Sequence, residues 1–178
     1  MKLILPYLIV AALSLPCCGQ KGKKVTAEKV AVADTTYPLP EKPIGWTSDF
    51  EKVFTAEQIS YLDDLIQRHK DQTSNEVAIV TLQLDSTNVK PTTDFDQLSL
   101  ALVNKWGIGE KEKNNGVGIV ICVRFRKISI QVGKGLTAKL TDEESKNIID
   151  SIIIPEFKKG DYFRGVLNGL NAVFEEIK

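Results

Sequence analysis

Apolar residues fall along this chain in two rhythms. Between Val117 and Val123 they run almost unbroken (VGIVICV), and from Ile128 to Val132 they alternate with polar residues (ISIQV), with only Arg124-Phe125-Arg126-Lys127 between the two runs. The first pattern fits a strand buried on both faces and the second a half-exposed neighbour, so the stretch predicts a β-hairpin. Because the second strand returns antiparallel to the first, the segment Asn114-Asn115-Gly116 that enters the hairpin must lie beside Gly133-Lys134-Gly135 that leaves it. Polar groups and glycines converge there, and that edge is where a site is expected.

The remaining elements follow from the same reading. Folding begins near Ile44-Gly45-Trp46. Thr55 and Gln58 form a capping-box pair ahead of Ile59, Leu62, Leu65, Ile66 and His69 at helical spacing, which predicts a helix over 56–72. His69, at the tail of that stripe, has no second histidine to join it and is expected to be a partly covered surface residue. Thr73-Ser74-Asn75 break the helix, and Glu76 to Asp85 reads as a strand buried on both faces. A polar loop to Thr93 precedes a second amphipathic helix from Asp94 to Lys105, stopped by Gly107. Strand, helix and strand in this order predict a right-handed parallel crossover. After the hairpin, Thr141-Asp142 caps a third helix that Pro155 bends or ends, and Gly160-Asp161 opens a last helix through Ile177. Gly165 and Gly169, one turn apart, suit close helix packing. The expected fold is α/β: a central mixed sheet of about three to four strands with helices on both faces, in the order α-β-α-β-β-α-α.

The N-terminus belongs to none of these elements. Met1-Lys2 and the apolar run LILPYLIVAALSL have the length of a signal-peptide core and fall short of a bilayer span. Leu15-Pro16-Cys17-Cys18 then resembles a bacterial lipobox, with Cys18 as the lipidated residue and Cys17 as the alternative. Residues 1–18 are thus expected to direct export and end in a lipid anchor, leaving the protein on the membrane and facing the periplasm. Residues 19–43, poor in large apolar side chains and rich in Lys, Thr, Ala and Pro, form a flexible linker to a domain over 44–178.

Composition narrows the chemistry. The chain has 178 residues, 43% hydrophobic and 26% charged, with 23 basic and 23 acidic residues in balance, so no net field recruits nucleic acid. Zinc-ligand spacing, a P-loop and a dinucleotide glycine pattern are all missing from it. The basic turn Arg124, Arg126, Lys127 reads as a solubilising hairpin end, with an acidic partner as the alternative.

The stretch WGIGEKEKNNGVGIVICVRFRKISIQVGKGL and the later LTDEESKNIIDSIIIPEFKKGDYFRGVLNGLNAVFEEI resemble the TPM domain family, named for a thylakoid phosphatase, a photosystem II repair protein and a nematode receptor modulator. PIGWTSDFEKVFTAEQISYLDDLI and NEVAIVTLQL extend the resemblance upstream, so it covers about Pro43 to Lys178. It implies a central sheet with helices on both faces, on a domain delivered to the extracytoplasmic side of a membrane. Some members resemble acid phosphatases and bind calcium at the edge described above. Carried onto this chain, that implies Asn114, Asn115 and Asp142 as metal ligands, calcium as the cofactor and Lys134 as a phosphate contact.

The chain departs from the family pattern at that edge. Asn114-Asn115-Gly116 stands where Asp-Asn-Gly is usual, and Gly133-Lys134-Gly135-Leu136-Thr137 where Gly-Tyr-Gly-Leu-Glu is usual, so two carboxylates are gone; Leu140-Thr141-Asp142 is kept. Calcium affinity depends on charged oxygen ligands, and only Asp142 remains anionic, with Glu110, Glu112 and Glu143 near in sequence as compensating candidates. Two functions follow. The first is a membrane-tethered, non-catalytic module that binds, assembles or maintains membrane proteins. The second is a metal-assisted phosphomonoester hydrolase in which Asn114, Asn115 and Asp142 hold the ion and Lys134 offsets phosphate charge.

Overall fold

The predicted hairpin forms one side of a four-stranded sheet, its first strand inside and its second at the edge. The structure, a computed structural model, describes residues 39–85 and 94–178. The export segment, Cys17, Cys18, most of the linker and most of the polar loop before Asp94 lie outside the described residues. Strands β1 (Thr47–Asp49), β2 (Glu76–Thr81), β3 (Gly116–Cys122) and β4 (Lys127–Val132) lie in the order β1-β2-β3-β4. β1, β2 and β3 are parallel, with Ile79 level with Thr47 and with Ile119, and β4 returns antiparallel with Ile130 opposite Ile119. β3 is buried at every position, as its unbroken apolar run requires.

Helices cover both faces, as expected. α1 (Ala56–Thr73) and α5 (Tyr162–Glu176) pack Leu62, Ile66, Val166 and Leu170 onto the face of the sheet that carries Val77, Ile79, Val117, Ile119 and Ile121. α2 (Phe95–Trp106) lays Leu98 and Leu102 on the other face against Val80, Val120 and Cys122. Strand alternation divides β3 between the two cores, odd-numbered side chains on one side and even-numbered on the other. The caps are those the sequence signals: Thr55 with Gln58 for α1, Asp94 for α2 and Asp161 for α5.

Three expectations need correction. The order gains a first strand, β1, because Thr47 and Ser48 are buried polar residues with no apolar rhythm to mark them. His69 is buried, stacked flat on Phe174 with ring centroids 4.0 Å apart, because α5 closes over the end of α1. Of the two outcomes expected at Pro155, a bend or an end, the helix does not end there. α3 (Asp142–Asn147) widens into a π-helical turn (Ile148–Ile153) and continues as α4 (Ile154–Lys158). A proline in an α-helix clashes with the carbonyl four residues back. Here the Ile154 N–H reaches back five residues to the Ile149 carbonyl, and the wider turn delivers Pro155 into the first turn of α4.

Gly165 and Gly169 have the packing role the sequence suggested. A Cβ at Gly165 would come within 2.6 Å of the Phe157 ring, and one at Gly169 within 2.6 Å of Ile153. The two glycines let α5 settle against the π-helical turn and α4.

Candidate functional site

At the amino ends of β2 and β3 three loops interlock: 73–76 before β2, 107–116 before β3, and 133–140 after β4. The contact is backbone on backbone. Gly133 N–H donates to the Gly116 carbonyl at 2.8 Å, and Gly135 N–H to the Asn114 carbonyl at 3.0 Å. A Cβ on Gly116 would lie 2.1 Å from the Ile108 oxygen, and one on Gly135 2.1 Å from the Lys113 oxygen. No side chain fits at either position, which gives the glycines of this edge a steric reason independent of any ligand. Asn114 supports the tight entry with a left-handed φ of +49°, a conformation asparagine tolerates better than most residues.

Asn115 is the pin between the loops before β2 and β3. It is buried; its Oδ1 accepts from Glu110 N–H at 2.8 Å and its Nδ2 donates to the Ser74 carbonyl at 2.6 Å. Its own backbone carbonyl accepts from Glu76 N–H at 3.0 Å. Glu76 adds a second tie, accepting from Gly109 N–H at 2.7 Å and pairing with Lys70 at 2.8 Å, while Lys70 also lies 4.7 Å from the centre of the Trp46 ring. Asn75 binds the end of α5, its Nδ2 donating to the Ile177 carbonyl at 2.7 Å. Sequence reasoning sees Ser74 and Asn75 only as helix breakers and Glu76 only as the start of a strand. The one available signal is their position directly before a buried strand.

The predicted site residues separate into two kinds. Asn114 and Asn115 are adjacent to the 133–135 loop, as the hairpin geometry requires, but only Asn115 is buried and its carboxamide is already bonded at both ends. The Asn114, Lys134 and Asp142 side chains are exposed and form no hydrogen bond or ion pair among the described residues. Thr141, not Asp142, is the N-cap of α3, in a capping box with Glu144 whose hydrogen bonds hold the Glu144 carboxyl below its usual range. Asp142 is the first helical residue, where a carboxylate meets the positive end of the helix dipole. Of the compensating candidates, Glu110 is paired with Lys113 at 2.8 Å, and Glu112 and Glu143 are exposed.

This donor set is a poor match to calcium, which takes roughly six to eight oxygens with several carboxylates among them. At the three implied positions the free donors are one amide oxygen, from Asn114, and one helix-bound carboxylate, from Asp142. Among the described residues no group of three or more His, Cys, Asp or Glu side chains is placed to hold a metal ion.

The carboxyl end of the sheet carries its own polar ties. Thr81 donates its hydroxyl to Asp49 and accepts from Glu51 N–H, and the Glu51 carboxylate takes the N–H groups of Val123 and Arg124 at 2.8 and 3.2 Å. Cys122 is buried beside Glu51, and burial pushes its thiol pKa up, so it is a packed thiol and not an activated nucleophile.

Fold and edge together define a mixed α/β domain whose parallel strands are tied at their amino ends by glycine-bearing loops. The chain belongs to the TPM domain family, whose model matches residues 47–176. Among solved structures it is similar to the N-terminal domain of a protein from P. gingivalis, at 25% identity with a TM-score of 0.66, covering 82% of this chain and 85% of that one. It also shares its fold with a protein from the psychrophilic bacterium Bizionia argentinensis, at 20% identity and a TM-score of 0.60, over 72% of this chain and 83% of that one. A third is the N-terminal domain of a Corynebacterium glutamicum protein, at 16% identity and a TM-score of 0.57, over 81% and 89% of the two chains. No curated relative matches the sequence.

Proposed function

We infer that this chain is a membrane-tethered, extracytoplasmic TPM module that acts by binding a membrane protein, in its assembly or maintenance, and not by catalysis. The observation that carries this reading is the commitment of Asn115. The side chain that the family resemblance would place on a metal ion is used to brace the loop before β3 and join it to the loop before β2, which closes the edge into a plate. The exposed Lys134, Asn114 and Asp142 then form the outer surface of that plate, where a partner would read them. The lipobox-like Cys17-Cys18 pair and the linker supply the tether: an acyl chain contributes about 0.8 kcal/mol per buried methylene.

The test is photo-crosslinking in cells from a reactive residue in place of Lys134, with the tethered chain compared against an unrelated lipoprotein. The reading expects a discrete adduct with an integral membrane protein, lost when Cys17 and Cys18 are both replaced by Ala. A hydrolase reading expects instead phosphomonoester turnover by the purified chain that depends on calcium or magnesium, and such turnover would overturn the binding role.

A further inference from the structure

A cavity of about 400 Å³ opens at the other end of the sheet, between the β3–β4 turn and the helical layer. Its floor is apolar and comes from Ile121, Val123 and Ile128 on the face of the sheet that carries the larger core. Its roof is Ile154, Phe157 and Tyr162, with the two aromatic rings edge to face at 5.0 Å. Cys122 contributes backbone to the wall, its side chain belonging to the opposite face. The roof stands where it does because the π-helical turn widens just before Pro155 and sets α4 over the hairpin; single π turns of this kind are frequent at functional sites.

The charges around this cavity are of one sign. Arg126, Lys127 and Lys158 line it, and no carboxylate does. All three are exposed at the mouth, and their side chains form no ion pair among the described residues. Arg126 is moreover held at a left-handed φ of +53°, a backbone state that arginine adopts at a cost and that fixes where its side chain departs. An apolar interior with a cluster of unpaired cations at its rim is the complement of a molecule with an apolar body and a negative end. The volume lies within the range of small-molecule sites.

We propose that this cavity binds a small amphipathic carboxylate, its aliphatic or aromatic body between the sheet and α4 and its carboxylate at Arg126, Lys127 and Lys158. The site lies at the opposite end of the sheet from the Asn115 edge and does not depend on how that edge is used. It also gives the basic hairpin turn a role beyond solubility.

The test is an NMR titration of the full chain with decanoate at low millimolar concentration, with decanol and decyltrimethylammonium as the neutral and cationic counterparts. Decanoate is expected to saturate one site, with shifts concentrated on 121–128 and 154–162, and decanol to bind about tenfold more weakly, the difference of one charge contact. Arg126→Glu with Lys158→Glu should weaken decanoate about tenfold or more and leave decanol unchanged, while Lys158→Arg keeps decanoate binding. Ile154→Trp, which fills the cavity, should abolish both. Shifts scattered over the surface, equal binding of all three probes, or decanoate binding indifferent to the charge reversal would each overturn the proposal.

Discussion

The two ends of the sheet are built on opposite plans. At the amino ends of β2 and β3 the loops are fastened to one another by backbone hydrogen bonds and by the buried carboxamide of Asn115, with glycines where the chains touch. At the carboxyl end Glu51 and Thr81 tie β1, β2 and β3, but between the β3–β4 turn and α4 a cavity of about 400 Å³ stays open with three cations at its mouth. The motif-rich end is therefore the closed one. A run of recognisable residues, Asn-Gly before a strand and Gly-x-Gly after its partner, marks where backbones must approach, and such a motif is explained by sterics before any ligand is invoked.

The contrast can be broken at its strongest point first. Gly116→Ala would put a methyl group 2.1 Å from the Ile108 oxygen, against the Ile108–Gly109 peptide, backbone that cannot swing away, and should cost about 3 kcal/mol. A lower urea midpoint at unchanged slope would show it. Asn115→Ala should come next, at about 1 to 2 kcal/mol, because it removes a buried carboxamide and leaves the partly buried Glu110 N–H and Ser74 carbonyl without partners. At the open end, Lys158→Glu should shift stability by less than about 0.5 kcal/mol, since its side chain is exposed and carries no ion pair. If Lys158→Glu cost as much as Asn115→Ala, the two ends would not differ as described.

Away from both ends, His69 supplies a pH dependence with a definite sign. Burial, and to a smaller degree the charge of Lys178, lower its pKa in the folded chain from the ordinary 6.5. The unfolded chain therefore binds a proton more readily, and stability falls as pH drops below about 6.5. His69→Gln should flatten that part of a melting-temperature profile, and an unchanged slope would show that another group titrates there.

Much of the fold was legible because it rests on strong periodic signals. The unbroken VGIVICV run, the alternating ISIQV run and the Thr55–Gln58 capping pair each specify one element, and each is found where the pattern places it. β1 was not legible, since three polar residues, two of them buried, carry no rhythm. The π-helical turn was not either: Pro155 signals an interruption, but whether a helix stops or widens is decided by what packs on it, here Gly165 and Gly169 of α5. At the site, the sequence brings Asn114, Asn115 and Lys134 to one edge through hairpin geometry. It could not show that Asn115 turns inward, because that depends on a Ser74 carbonyl supplied from another loop.

The account turns on whether that edge is joinery or a metal site, and calcium titration of the full chain by calorimetry, repeated with Asp142→Ala and with Lys134→Ala, tests it most directly. The account predicts no saturable binding up to millimolar calcium and indistinguishable traces for all three proteins. Saturable binding that disappears with Asp142→Ala would contradict it and would return the edge to the ion-holding role that the family resemblance implies.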